Sequence, residues 1–212
     1  MKLLALALLA VVCAHAEPVL FYSKAFPGST PAYSEVTLTA AGVGVYKEDP
    51  ADDQPVKFQL SVADGKAMFE LADKLEHFAH PLESGLKVAK TGDKVFRWID
   101  GTKKGEQKFN YTTVVDGQAL LTWFERIVDT ERSFIDLERT ARFDRLGVNQ
   151  SLLTIQGLIE KKRLVGAEQF LPLLERVSKN AGYINMARDR AIEIAAVIRA
   201  AANNVVKPEA AQ

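Results

Sequence analysis

The sequence has little of several residue types, and each shortage excludes a class of protein. One of the 212 residues is cysteine, Cys13, so the chain cannot form an internal disulfide framework or a zinc or iron–sulfur site built from several cysteines. Lys and Arg together number 27, as do Asp and Glu, so the basic excess on which nucleic-acid binding relies is missing. We therefore expect no nucleic-acid partner.

Long hydrophobic runs are also missing, and the longest one stands at the start of the chain. Lys2 is followed by ten apolar residues, Leu3 to Val12, which is about half the number that a helix needs to cross a bilayer. Ala14 and Ala16 then satisfy the small-x-small cleavage rule before Glu17. This pattern predicts that residues 1–16 are a secretory signal peptide, that the protein is exported to the periplasm or secreted, and that the mature chain has no membrane span.

Removal of this segment changes the composition. Cys13 would leave with it, and Val12 is not the small residue that lipidation of a following cysteine requires. The mature chain would have no cysteine and, after the loss of Lys2, a net charge of −1. We expect a disulfide-free protein that is stabilised by its hydrophobic core, which is feasible at this length.

The chain from residue 17 to 145 alternates between strand and helix patterns. Two amphipathic stripes predict helices that begin near Asp64 and Asp116. We predict an α+β fold in which an antiparallel sheet of about seven strands carries two helices on one face. The predicted strands, most with alternating apolar residues between Gly-, Pro- or Asp-containing turns, cover residues 19–26, 33–40, 43–47, 56–62, 86–90, 94–100 and 107–113.

Residues 146–203 have only helical periodicity, and residues 204–212 are predicted to be a flexible tail. The stretch from Phe170-Leu171-Pro172 to Ile192-Glu193-Ile194 makes residues 168–199 resemble a single HEAT-like helical hairpin. The alternative is a helical hairpin that packs on the preceding domain, because a solenoid usually needs at least three repeats.

The N-terminal half resembles exported bacterial α+β domains of unknown function. The segments that carry this resemblance are Tyr33 to Tyr46, Phe58 to Phe78 and Val88 to Trp98. They contain no catalytic motif, so the resemblance implies a fold and an exported location but no activity.

One small cluster could support metal chemistry. His77 and His80 stand three residues apart at the end of the first predicted helix, with Glu76 beside them. Two imidazoles and a carboxylate can bind a divalent metal. The alternative is a polar helix end, where a histidine beside Pro81 would offset the helix dipole.

No other motif points to catalysis. The sequence lacks a Gly-x-Ser-x-Gly elbow and a glycine-rich phosphate loop, so we name no catalytic residue and expect no cofactor. The first hypothesis is a non-enzymatic binding protein of the bacterial envelope or secretome that contacts an unknown protein or envelope component through the uncovered sheet face. The alternatives are a hydrolase that uses carboxylates or a His77/His80 metal site, and a scaffold that uses its C-terminal helices.

Overall fold

The computed structural model describes residues 17–206, with side chains up to residue 203, and the predicted signal peptide lies outside this range. The described chain is α+β, as predicted, with six strands and five α-helices. The strands are β1 (Val19–Ala25), β2 (Tyr33–Thr39), β3 (Val43–Lys47), β4 (Val56–Gln59), β5 (Asp93–Asp100) and β6 (Lys103–Phe109). The helices are α1 (Val62–Lys74), α2 (Val115–Phe143), α3 (Val148–Glu160), α4 (Leu171–Lys179) and α5 (Asn185–Val206).

The six strands form one sheet in the order β4-β3-β2-β1-β5-β6, and every neighbouring pair is antiparallel. Successive side chains of each strand point to opposite faces of the sheet, and the helices cover one of these faces and leave the other open. The covered face carries fully buried side chains such as Tyr22, Leu38 and Phe96. On the open face the corresponding side chains are mostly half-buried or exposed.

Both predicted helices of the sheet region lie on the covered face. Met68 and Ala72 of α1 and Leu120 and Phe124 of α2 belong to the same hydrophobic core as the sheet. The Phe124 ring stacks on Tyr22, with ring centroids 4.9 Å apart. Burial of these aromatic and aliphatic surfaces holds the helices against the sheet.

A second hydrophobic core lies in the C-terminal part of the chain. It joins Leu137, from the distal half of α2, to α3, α4 and α5. Helix α2 therefore contributes to both cores, and its 29 residues connect the sheet to the helical region. The boundary at residue 145 stays a prediction, and it falls in the loop directly after α2.

The predicted strand over residues 86–90 is absent from the described structure, which is why the sheet has six strands. Leu86 and Val88 are exposed, and the segment runs irregularly between the first helix and β5. The Asn110 side chain holds it in this form: its Oδ1 accepts a hydrogen bond from the Thr91 amide at 2.7 Å, and its Nδ2 donates one to the Ala89 carbonyl. These side-chain bonds take the place of the backbone hydrogen bonds that a β-strand would form with its neighbour.

None of the helices within residues 17–206 is both long and apolar enough to cross a bilayer. The absence of a span from the mature chain was predicted from the sequence, and it holds for the described residues.

Candidate functional site

The two histidines lie in different surroundings. The His77 Nε2 pairs with the Asp73 carboxylate at 2.8 Å, and the ring stacks on Trp98 with centroids 3.9 Å apart. The His80 Nε2 lies 3.3 Å from the Glu76 carboxylate on the solvent side. The structure therefore brings His80 and Glu76 together, whereas His77 packs on the sheet.

This geometry arises from an unusual turn after α1. Glu76, His77 and Phe78 all have positive φ angles, between 47° and 67°, a conformation that non-glycine residues rarely adopt. The turn presses the His77 carbonyl against Gly105 of β6, where a Cβ atom would lie far inside van der Waals contact. The buried Phe78 ring anchors the turn in the sheet core.

Within residues 17–203, no three His, Cys, Asp or Glu side chains lie together in an arrangement that could hold a metal ion. Metal binding by His77, His80 and Glu76 stays a prediction, and it would require a change in the side-chain positions just described.

The open sheet face has an apolar centre and charged edges. Phe21, Val95 and Ile99 are half-buried in its middle. The Arg97 guanidinium lies 4.5 Å from the centroid of the Phe21 ring and binds the Glu106 carboxylate at 2.6 Å. This face is uncovered by the helices of the described chain, as predicted, and its role as a contact surface stays a prediction.

A concave feature along α2 was not predicted from the sequence. Two adjoining cavities of about 560 and 300 Å³ form one groove, here called the α2 cleft. The groove lies between the β1–β2 loop, the middle of α2, and α3. Thr30, Asp129 and Arg132 line both cavities, so the two cavities adjoin. Their volumes fall in the range typical of small-molecule sites.

Several charges of the larger cavity are held in ion pairs. Asp136 accepts hydrogen bonds from Ser151 at 2.5 Å and from Arg139 at 2.6 Å. Burial opposes ionisation of the Asp136 carboxyl, but these two donors outweigh it and lower its pKa. Asp129 binds both the Nε and the Nη2 of Arg163, at 2.8 and 2.7 Å.

The smaller cavity is lined by two charged side chains that form no ion pair with the described residues. Lys24, at the end of β1, and Glu125, on α2, both line it and are both half-buried. Among residues 17–203, neither side chain lies within 4 Å of an oppositely charged group. Burial and the negative charge of Glu125 raise the pKa of the Tyr22 hydroxyl, which lines the same cavity. An ammonium, a carboxylate and a phenol therefore line one small polar space.

Arg132 is the most loosely held arginine of the cleft, because Arg139 and Arg163 form shorter ion pairs. Its Nε lies 3.5 Å from the Glu48 carboxylate, and both side chains are 40% exposed. A pair that is long and exposed contributes little to stability. The Arg132 guanidinium could therefore turn toward a ligand in either cavity without a large loss of free energy.

Comparison with known protein families, with curated proteins and with solved structures finds no match to the chain.

Proposed function

We propose that the protein is an exported, non-enzymatic binding protein of the bacterial envelope or secretome, and that the α2 cleft is its ligand site. The observation that carries this proposal is that Lys24 and Glu125, which form no ion pair with the described residues, line one cavity of about 300 Å³. Half-buried charges without partners cost free energy, and a ligand with matching charges would remove that cost. The signal peptide predicted over residues 1–16 supports export.

The chemistry of the cleft favours a small zwitterion, such as an amino acid or a short peptide with free ends. The ligand carboxylate would bind Lys24, with Arg132 as a second donor. The ligand ammonium would bind Glu125. Hydroxyls such as those of Tyr22 and Ser34 are placed to bond the polar atoms between the two charges, because both residues line the same cavity.

The ion pairs in the cleft favour binding over hydrolysis. A hydrolase that uses two carboxylates needs one of them to act as an acid or as a free base. Asp129 and Asp136 are instead paired with Arg163 and Arg139, and the hydrogen bonds that Asp136 accepts lower the pKa of its carboxyl. This arrangement suits recognition of a charged ligand.

Isothermal titration calorimetry with unblocked dipeptides tests this function. The mature protein should bind them, and it should not bind the same dipeptides when both ends are capped and neutral. Lys24→Ala and Glu125→Gln should each weaken binding about tenfold or more, because each removes a charge-assisted hydrogen bond.

Lys66→Ala on α1 is the matched control, because its ammonium is 74% exposed and lies outside the cleft. It should leave the affinity unchanged. No binding of any free amino acid or dipeptide, or equal losses in the control and the cleft variants, would contradict the proposal. Cleavage of the dipeptides by the protein would instead support the hydrolase.

A further inference from the structure

Glu131 is the one acidic residue that is buried within residues 17–203. It lies in the middle of α2, and its Oε1 accepts a hydrogen bond from the Gln169 amide at 2.7 Å. Its Oε2 is also buried and has no hydrogen-bond partner in the described chain. A carboxylate that ionises in such a place loses its hydration without full compensation.

The other groups around Glu131 do not offset a negative charge. The side chains one turn away along α2 are all apolar: Ile127, Val128, Phe134 and Ile135. From the sheet, Tyr46 of β3 lies near enough for Glu131 to affect its hydroxyl, but burial first and then Glu48 hold the pKa of this hydroxyl well above neutral. Arg132, the next residue of α2, is paired with Glu48. Gln169 is therefore the described group that favours the ionised form of the Glu131 carboxyl, and burial outweighs it.

The α3–α4 connection, residues 161–170, lies against α2 at this point. Three successive residues of α2 bind it, and the pairs are Asp129 with Arg163, Thr130 with the Val165 amide, and Glu131 with Gln169. Val165 is buried in the core of the sheet, and Phe170 is buried in the helical core. The connection therefore joins the two cores across the middle of α2.

The connection is the less regular of the two segments that meet at Glu131. Helix α2 is continuous over 29 residues, whereas the connection has positive φ angles at Lys162 and Gly166 and only a short 3₁₀ turn, Ala167–Phe170. Its Val165 amide is bonded to a side-chain hydroxyl rather than to backbone. Segments with few backbone hydrogen bonds open at a lower free energy than helices do. Water would therefore reach the Glu131 Oε2 by displacement of the connection, and α2 would stay intact.

Displacement of the connection would change the α2 cleft. Asp129 and Arg163, which form the first of the three contacts, both line the smaller cavity. A connection that leaves α2 would take Arg163 out of the cavity wall.

We propose that the α3–α4 connection is a pH-sensitive wall of the α2 cleft, closed on α2 while Glu131 holds its proton and opened when the carboxyl ionises. The opening does not depend on what the cleft binds, and only its effect on ligand binding rests on the function proposed above. The closed state has a Glu131 pKa of about 7, against the ordinary 4.5 of a solvated carboxyl. The closed state thus binds the proton more tightly, and the opened fraction should rise about tenfold between pH 6 and pH 8 and level off above pH 8.

Amide hydrogen exchange of the mature protein, read at Val165 by NMR, tests the opening. The observed rate divided by the rate of an unstructured amide at the same pH gives the opened fraction. This fraction should rise about tenfold from pH 6 to pH 8 in the unaltered protein. It should not change in Glu131→Gln, because glutamine cannot ionise. Glu138→Gln, on the exposed side of α2 where the carboxylate is 41% exposed, is the matched control and should keep the full rise.

An unblocked dipeptide at saturating concentration tests the link to the cleft. A ligand that binds the closed cleft should lower the opened fraction at Val165 at pH 8, because it stabilises the state that it binds. If no dipeptide binds, the proposed function fails, and the pH dependence at Val165 still decides whether the connection opens.

An opened fraction at Val165 that is the same at pH 6 and pH 8, or that rises equally in Glu131→Gln, would overturn the proposal. Exchange at Val165 as slow as that of the Leu20 and Tyr22 amides in the centre of the sheet would also overturn it, because the opening would then be unfolding of the whole chain. A dipeptide that binds without slowing exchange at Val165 would show that the connection is not a wall of the ligand site.

Discussion

Replacement of Glu131 by glutamine should stabilise the protein above neutral pH. Glu131 lies in the middle of α2 and is 1% exposed. Its Oε1 accepts a hydrogen bond from the Gln169 amide at 2.7 Å, and its Oε2 has no hydrogen-bond partner in the described chain. Burial raises the pKa of this carboxyl from the ordinary value of 4.5 to about 7, and the single bond from Gln169 only partly opposes the rise.

The sign of the effect follows from where the proton is held. Between pH 4.5 and about 7 the folded protein keeps a proton on Glu131 that the unfolded chain has released, so the free energy of unfolding falls as the pH rises through this window. A pKa that rises from 4.5 to about 7 corresponds to about 3 kcal/mol in total. Glutamine keeps the shape and the bond from Gln169 but cannot ionise, so Glu131→Gln avoids this loss.

Urea unfolding of both proteins at several pH values measures the difference. The two free energies of unfolding should be similar near pH 4.5, and the variant should become more stable by up to about 3 kcal/mol at pH 8. Glu138→Gln on the solvent side of α2, where the carboxylate is 41% exposed, should change stability little at either pH. A Glu131→Gln protein that is no more stable at pH 8, or a difference that does not change with pH, would refute the reasoning.

Three further substitutions test the local structure by chemical denaturation. Gly105→Ala should cost about 1–3 kcal/mol, because the new Cβ meets the His77 carbonyl, whereas Gly157→Ala, which has open space in α3, should not destabilise. Ser61→Ala should cost about 1 kcal/mol, because the Ser61 hydroxyl caps α1; an unchanged stability would contradict this capping role. Lys94→Met should cost about 1–3 kcal/mol and speed amide exchange in residues 83–92, because the buried ammonium donates hydrogen bonds to the Thr91 hydroxyl and to the Gly92 and Asn110 carbonyls. Unchanged amide exchange in this segment would contradict the role of Lys94.

The strands with alternating apolar residues were predictable from the sequence. Tyr33–Thr39 and Val43–Lys47 differ from the predicted segments by one residue at most. Strand β6 was placed four residues too late because it is an edge strand, in which lysines replace the apolar residues that periodicity detects. The first helix begins at Val62 rather than at Asp64, because the Ser61 hydroxyl accepts the cap bond from the Asp64 amide.

The aromatic side chains were only partly predictable. The sequence favours a core role for Phe96, Trp98, Tyr111 and Trp123, with a pocket or partner surface as the alternative, and Phe96 is fully buried. Trp98 is buried, Trp123 is half-buried, and Tyr111 is 40% exposed. Tyr111 lies after the end of β6 at Phe109, whereas the predicted strand continued to residue 113.

The α2 cleft could not be predicted from a motif, because its walls come from segments far apart in the chain. The signal that was present is a charged stripe along α2, at Glu125, Asp129, Arg132 and Asp136, with the spacing of one helix face. Charges with this spacing are typical of ion pairs on a solvent-exposed helix face. Only the tertiary structure shows that the β1–β2 loop and α3 enclose this stripe and turn it into a groove.

The most direct test of the proposed function is an amide chemical-shift titration of the mature protein with an unblocked dipeptide. We predict that the shifts concentrate at Lys24, Thr30, Glu125 and Arg132 and saturate with one dipeptide bound. Shifts confined to the open sheet face, or no shifts at all, would contradict the assignment of the α2 cleft as the ligand site.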